Sequence, residues 1–285
     1  MTSNRLPRHS LKLSFEFFPP RTPEAEQSLR ATVARLERLR PDFFSVTFGA
    51  GGSTRDKTFE TARAISAATG IEAAPHISCI GSTENELKDI LRTYQEHGFE
   101  RVVALRGDLP SGLVGAGSLR FASELVAFIR RETGAHFHID VACYPEFHPQ
   151  AKSAQHDLEN LRRKVDAGAN GAITQYFYNA DAYLRLLESC AALGVDIPII
   201  PGVMPITNRD QLLRFSTLCG AEIPRWLLKR LEDFGDDLNA IRSFGTDVTT
   251  TLCAQLLDAG APGLHIYTMN KAEASAAIWQ ALGLA

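Results

Sequence analysis

The sequence is poor in cysteine, methionine and tryptophan, with 5, 3 and 2 of them in 285 residues. The cysteines, Cys79, Cys143, Cys190, Cys219 and Cys253, stand far apart. No two form a C-x-x-C pair, so no zinc knuckle or dithiol redox motif is present. An odd, scattered set suits reduced thiols in the cytoplasm better than a disulfide framework. An excess of either charge is also missing. Lys and Arg number 30 against 33 Asp and Glu, a net charge of -3. A dedicated nucleic-acid or membrane-surface binder carries a basic excess or a basic face, so neither partner is expected. No run of about 18 apolar residues exists to span a bilayer. Residues 1–12 hold Arg5, Arg8, His9 and Lys12 without the apolar segment of a secretory signal, and are read as a flexible N-terminal leader. Two phosphate-binding signatures are missing as well, G-x-G-x-x-G after a strand and the P-loop.

What is present is an ordinary globular composition, 45% hydrophobic and 22% charged. Short apolar runs recur eight times: Leu13–Phe17, Phe43–Phe48, Glu72–Ile77, Arg101–Leu105, Phe137–Cys143, Ala172–Gln175, Ile197–Pro201 and Gly263–Tyr267. They lack strict alternation, as strands buried on both faces of a parallel sheet do. Amphipathic stretches lie between them. Leu29, Val33 and Leu36 follow Thr22-Pro23, a cap residue and a first-turn proline. Thr83 with Glu86 has capping-box spacing, and Asn270 with Glu273 is expected to open the last helix by the same logic. Trp226, Leu227, Leu228, Leu231 and Phe234 predict an extra helix before the one leading to the eighth strand. Eight strand–helix units predict an α/β fold, a single-domain (β/α)8 TIM barrel over residues 13–285. A doubly wound sheet is the alternative, weakened by the missing glycine fingerprints.

In such barrels the chemistry sits at the C-terminal ends of the strands. Those ends offer Glu16, Thr47, His76, Arg106-Gly107-Asp108, Tyr144 with His148, Gln175 and Tyr267. Glu16 lies among Leu13, Phe15, Phe17 and Phe18. A carboxylate in that setting loses solvation, which raises its pKa and fits it for proton donation; a buried ion pair with a barrel arginine is the other reading. Asp108 is either a site residue or a turn cap. Gly49-Ala50-Gly51-Gly52 lets a backbone approach a phosphate or ring closely, although such loops are common. Asp157, Asn160, Arg163 and Lys164 form one helical stripe, either a solvated face or a clamp for phosphate and ribose. His136 and His138 precede the fifth strand, at the wrong end of the barrel, so no metal is expected.

Several motifs stand in order: Phe15-Glu16-Phe17-Phe18-Pro19-Pro20, Ser45-Val46-Thr47-Phe48-Gly49-Ala50, Ala74-Pro75-His76, Ala104-Leu105-Arg106-Gly107-Asp108, Tyr144-Pro145-Glu146 with His148-Pro149, Lys164-Val165-Asp166-Ala167-Gly168-Ala169, and Thr174-Gln175. Together they resemble bacterial methylenetetrahydrofolate reductase, over roughly residues 13 to 283. The resemblance implies a barrel holding non-covalent FAD at its mouth. The implied reaction reduces 5,10-methylenetetrahydrofolate to 5-methyltetrahydrofolate, with NADH or NADPH reducing the flavin first in a ping-pong scheme. Glu16 is the implied general acid at N10 of the folate, and Asp108 the implied catalytic neighbour of flavin and pterin. Implied FAD contacts are Phe48, Ala50, His76, Arg106, Gly107, Asp108, Ala122, Tyr144, His148, Ala151, Asp157, Asn160, Arg163 and Lys164. Implied substrate contacts are Thr47 on the nicotinamide, Gln175 on either substrate, Gln211 and Phe215 on the folate, and Lys271 near its tail. Phe48 replaces a frequent tyrosine, and Lys271 an expected arginine. A cytoplasmic homo-oligomer is implied as well. Another flavin- or folate-binding barrel oxidoreductase of one-carbon metabolism remains the alternative.

Overall fold

The computed structural model describes residues 4–49, 55–107 and 117–284. Strands and helices alternate as β1 Lys12–Phe17, α1 Pro23–Glu37, β2 Phe43–Val46, α2 Arg55–Thr69, β3 Glu72–Ser78 and α3 Glu84–Glu96. The alternation continues with β4 Arg101–Leu105, α4 Ala122–Thr133, β5 His138–Cys143, α5 Ala154–Asp166, β6 Gly171–Thr174 and α6 Ala180–Ala192. Two short strands follow, β7 Ile199–Ile200 and β8 Gly202–Val203, then α7 Arg209–Cys219, α8 Arg225–Asp233 and α9 Leu238–Asp258. The last elements are β9 Gly263–Tyr267 and α10 Glu273–Ala281. The extra helix expected around Trp226 is α8.

Helix starts follow the local chemistry. The Thr22 hydroxyl accepts from Ala25 N at 3.2 Å, and Pro23 takes the first helical position, where no N–H is needed. At α3 the reciprocal box forms: Thr83 N donates to Glu86 Oε2 at 2.7 Å, and Glu86 N donates to the Thr83 hydroxyl at 3.3 Å. Asn270 does not do the same for α10. That helix begins after Ala272 with no side-chain cap, and the Asn270 amide bonds to Phe18 instead.

Every ladder is parallel, and the strands lie in the order β7-β6-β5-β4-β3-β2-β1-β9-β8. The two ends of that order are consecutive pieces of one stave, separated only by Pro201. β7 pairs with β6 through Ile173 and Ile200, and β8 pairs with β9 through Gly202 and His265. The sheet therefore closes into an eight-stave (β/α)8 barrel, and the open doubly wound alternative falls. The strand expected at Ile197–Pro201 is shorter, broken and shifted toward its C-terminal side, because proline has no ladder donor. Side chains fill the break. Gly202 N donates to Thr174 Oγ1 at 2.9 Å, and the Tyr267 hydroxyl donates to Thr174 O at 2.7 Å. Glycine is required at 202, since a Cβ there would lie 2.1 Å from Thr174 O.

Alternation along each strand separates two apolar regions. Leu13, Phe15 and Phe17 turn outward into the large core between sheet and helices. Phe15 packs on Trp279 of α10 with ring centroids 4.6 Å apart. Ser14 and Glu16 therefore face the barrel axis. Inside, Phe43, Ala74, Val103 and Ile173 form a small separate plug. At the N-terminal end, Arg101 lies over the Phe43 ring at 4.5 Å and binds Asp140 at 2.8 Å and Glu72 at 2.9 Å. The plug separates this ion-pair cluster from the polar groups at the C-terminal mouth. Ahead of β1, Asn4 N donates to Asp258 O at 2.8 Å and Arg5 Nη2 to Leu282 O at 2.7 Å. No helix among the described residues is long and apolar enough to cross a membrane.

Candidate active site

Three side chains converge at the mouth: Glu16 of β1, His76 of β3 and His265 of β9. His265 Nε2 and His76 Nε2 each lie 3.4 Å from Glu16 Oε2. Behind them, Ser14 Oγ meets His265 Nδ1 at 2.7 Å. The strand register explains the meeting. Ser14 pairs with His265 and Glu16 with Tyr267 across β1 and β9, so all four share the inward face. Exposure is low, at 0% for the His265 side chain, 7% for His76 and 13% for Glu16.

The electrostatics correct one expectation. Burial is the largest influence on the Glu16 carboxyl and pushes its pKa up, as the apolar neighbours suggested. Hydrogen bonds and charge from His265 and His76 together outweigh it, and the pKa falls from 4.5 to about 2. The aromatic residues flanking Glu16 in sequence face the helices, whereas the imidazoles beside it come from distant strands. Arg101, which lies within the barrel, is committed to Asp140 and Glu72 at the other end and does not pair with Glu16. Tyr267 stays a neutral phenol, its pKa raised by burial and by the Glu16 charge.

Beside Glu16, two buried polar atoms, Ser45 Oγ and His76 Nε2, have no aligned hydrogen-bond partner among the described residues. Around them stand further expected site residues. Thr47 and Phe48 follow β2 and are half-buried. Arg106 follows β4; its Nη2 donates to Gln150 Oε1 at 2.6 Å, and no carboxylate among the described residues pairs with it. Gly107 has φ 87°, and a Cβ there would meet Ser78 Oγ at 1.9 Å, so only glycine lets these loops close. Past β5, the Tyr144 and His148 rings pack edge to face at 4.7 Å. His148 N donates to Asp157 Oδ2 at 2.9 Å, and Ala151 N to His148 O at 2.8 Å. Lys164 Nζ donates to Ala142 O at 2.6 Å, and burial holds its pKa below the ordinary lysine value. Tyr144, Asp157 and Lys164 line a cavity of about 170 Å³ between the end of β5, α5 and α6. This donor set, with two cations that no carboxylate ion-pairs among the described residues and two half-buried aromatic rings, suits a diphosphate joined to a planar ring.

The remaining expected residues stand on several elements. Asn160 and Arg163 bond to each other at 2.6 Å, with Arg163 exposed. Ala122 opens α4. Gln175 follows β6, and its Oε1 accepts from Tyr176 N at 3.0 Å. Gln211 and Phe215 sit one turn apart on α7, and Lys271 is exposed after β9. Ala50 and Asp108 lie outside the described residues. His136 and His138 stand at the N-terminal end, on Phe99 O at 3.0 Å and Asp140 Oδ1 at 3.2 Å. The sequence reading missed Ser14 and His265. The usable signal was period two: Ser14-x-Glu16 and His265-x-Tyr267 place polar groups on one face of strands that are otherwise apolar.

A family model described as methylenetetrahydrofolate reductase matches residues 2–283. The 5,10-methylenetetrahydrofolate reductase of Escherichia coli (strain K12) is 44% identical over 274 residues, covering 96% of this chain and 91% of that protein. A probable methylenetetrahydrofolate reductase (NADH) of Oryza sativa subsp. japonica is 37% identical, over 95% of this chain and 48% of its own length. Among solved structures, an uncharacterized protein from Clostridium thermocellum that binds two copies of 5-methyl-5,6,7,8-tetrahydrofolic acid superposes with a TM-score of 0.69. It is 20% identical, covers 96% of this chain and 95% of its own, and supports the fold. With the family model spanning nearly every residue and 44% identity sustained along the barrel, this chain belongs to the methylenetetrahydrofolate reductase family.

Proposed function

We propose that this chain reduces 5,10-methylenetetrahydrofolate to 5-methyltetrahydrofolate, taking electrons from NADH or NADPH with the help of a non-covalent FAD. Family membership supports the reaction. The observation that carries it to particular atoms is the Glu16 carboxylate, buried at the mouth between His76 and His265. The residues around the mouth fit FAD. Arg106 and Lys164, with Arg163, would meet the diphosphate, and Asp157 and Asn160 the ribose. Phe48, Tyr144 and His148 would flank the rings, beside His76, Gly107, Ala122 and Ala151. When bound there, the flavin supplies hydride transfer between nicotinamide and folate.

The chain's own part is placement and protonation. Glu16 delivers a proton to N10 of the folate, opening its five-membered ring. A lone carboxyl with a pKa of about 2 holds too little proton at neutral pH to do this. Its neighbours supply what it lacks. His265 Nε2 lies 3.4 Å from Glu16 Oε2, and Ser14 at Nδ1 fixes the ring, so the imidazole is placed to pass a proton to the carboxylate. Gln175 keeps its amide NH2 for substrate, because its oxygen is taken by Tyr176 N. Thr47 would meet the nicotinamide, Gln211, Phe215 and Lys271 the folate, and Asp108 both flavin and pterin. On this reading the protein works as a homo-oligomer in the cytoplasm, where its thiols remain reduced.

The test separates the two half-reactions. Purified protein should be yellow, bleach with a reduced nicotinamide under anaerobic conditions, and recover colour with methylenetetrahydrofolate. Glu16→Gln should bleach like the parent and recover about 10²- to 10⁴-fold more slowly. Protein that stays colourless and inactive with added FAD would overturn the reading. Recovery of the variant at the parental rate would remove Glu16 as the acid.

A further inference from the structure

The loop after β9 contains two consecutive non-glycine residues in the left-handed region, Met269 at φ 53° and Asn270 at φ 56°. Asparagine is tolerated there, whereas a methionine is uncommon and costs conformational energy. Such a conformation persists where the surroundings hold it, and here they do. The turn carries the Asn270 amide back over the end of β1. Its Oδ1 accepts from Phe18 N at 2.8 Å, and its Nδ2 donates to Phe18 O at 3.0 Å. The same stretch grips Glu16. Thr268 Oγ1 donates to Glu16 O at 2.6 Å, Thr268 N donates to it at 3.3 Å, and Asn270 N donates to Thr268 Oγ1 at 3.0 Å. Thr32 of α1 closes the set, its hydroxyl donating to Asn270 O at 3.2 Å. None of this serves α10, which starts without a side-chain cap.

We propose that Asn270 is a positioning residue for Glu16: its two-point hold on Phe18 fixes the end of β1 and so aims the carboxylate at His76, His265 and the substrate. The proposal rests on Glu16 being the proton source. It follows from how short the lever is. Only Phe17 separates the held Phe18 from Glu16, and misplacement of a reacting group by 1 Å costs on the order of 10²-fold in rate.

Asn270→Gly tests it, because glycine accepts φ 56° and removes only the amide. Thr268→Val is the second variant; it keeps the shape and deletes the hydroxyl that holds Glu16 O. Both should bleach with nicotinamide at the parental rate and keep the parental melting midpoint. Both should recover with methylenetetrahydrofolate about 10- to 100-fold more slowly. The imidazole nitrogen-15 signals of His265 and His76 should move in both, since the neighbouring carboxylate has moved. Parental recovery in Asn270→Gly would overturn the proposal. So would parallel loss of both half-reactions together with the melting midpoint, which marks general loosening. If the parent protein bleaches yet never recovers with folate, the functional reading fails instead. The imidazole signals then still decide, and unmoved signals sink the positioning role.

Discussion

Replacing His265 by Phe should raise the pKa of Glu16, and the structure bounds the size of the effect. Burial alone would place the carboxyl above its ordinary 4.5, yet it stands at about 2. The imidazoles therefore hold it down by more than roughly 2.5 pH units, or about 3 kcal/mol. If His265 supplies half, its loss lifts the midpoint by at least about one pH unit, because burial stays and one partner goes. Phenylalanine preserves the ring contacts, which join His265 to Phe43 at 6.1 Å and to Tyr267 at 5.2 Å. Ser14→Ala in the same protein avoids an orphaned hydroxyl, since Ser14 Oγ has its bond to the deleted ring. Carbon-13 NMR of the side-chain carboxyls gives the readout, with Glu16→Gln assigning the signal. The parent should show no titration of Glu16 down to about pH 4, while the variant titrates within reach. The sign also fixes a stability consequence. A depressed carboxyl adds stability above pH 4.5 that is lost as pH falls through about 2. A parental midpoint above 4.5, or a variant midpoint that does not move, would refute the reasoning.

Two further outcomes follow from the packing. Gly107→Ala should weaken FAD retention and lower stability by about 1–3 kcal/mol, since the new Cβ meets Ser78 Oγ at a positive φ; flavin content and urea midpoints check this, and a normal holoprotein would contradict it. Trp279→Ala should cost about 3–5 kcal/mol. The side chain is 0% exposed against Phe15, and its Nε1 donates to Leu284 O at 3.0 Å, so a melting midpoint within a degree or two of the parent would count against the contact.

The barrel was legible because its signals are local and repeated. Strand runs such as Arg101–Leu105 and the Thr83–Glu86 box depend on residues within a few positions of each other. The sign of the Glu16 shift was not legible. It depends on His76 and His265, which lie 60 and 249 residues away and meet it only through the barrel closure. Asn270 misled for a related reason. Its spacing to Glu273 fits a helix cap, but a left-handed backbone points its amide at β1, and handedness at one residue leaves no periodic trace. Arg106 and Tyr144 became candidates because strands end there, and Lys164 because of its place in a helical stripe. On that stripe Lys164 is half-buried and Arg163 is exposed, so helical spacing alone does not say how deep each member lies.

The stave interrupted at Pro201 gives the cylinder a seam. Elsewhere adjoining staves share three to five register pairs, but here the sixth stave meets the seventh through two pairs and the seventh meets the eighth through two more. Side-chain hydroxyls clip the two sides together: the Thr174 hydroxyl accepts from Gly202 N, and the Tyr267 hydroxyl donates to Thr174 O. A closed ring opens at its weakest join, so amide exchange should start between Thr174 and Val203. That join borders Gln175 and the β9 strand bearing His265. The wall beside the reacting groups is therefore also the part of the barrel held by the fewest ladder pairs.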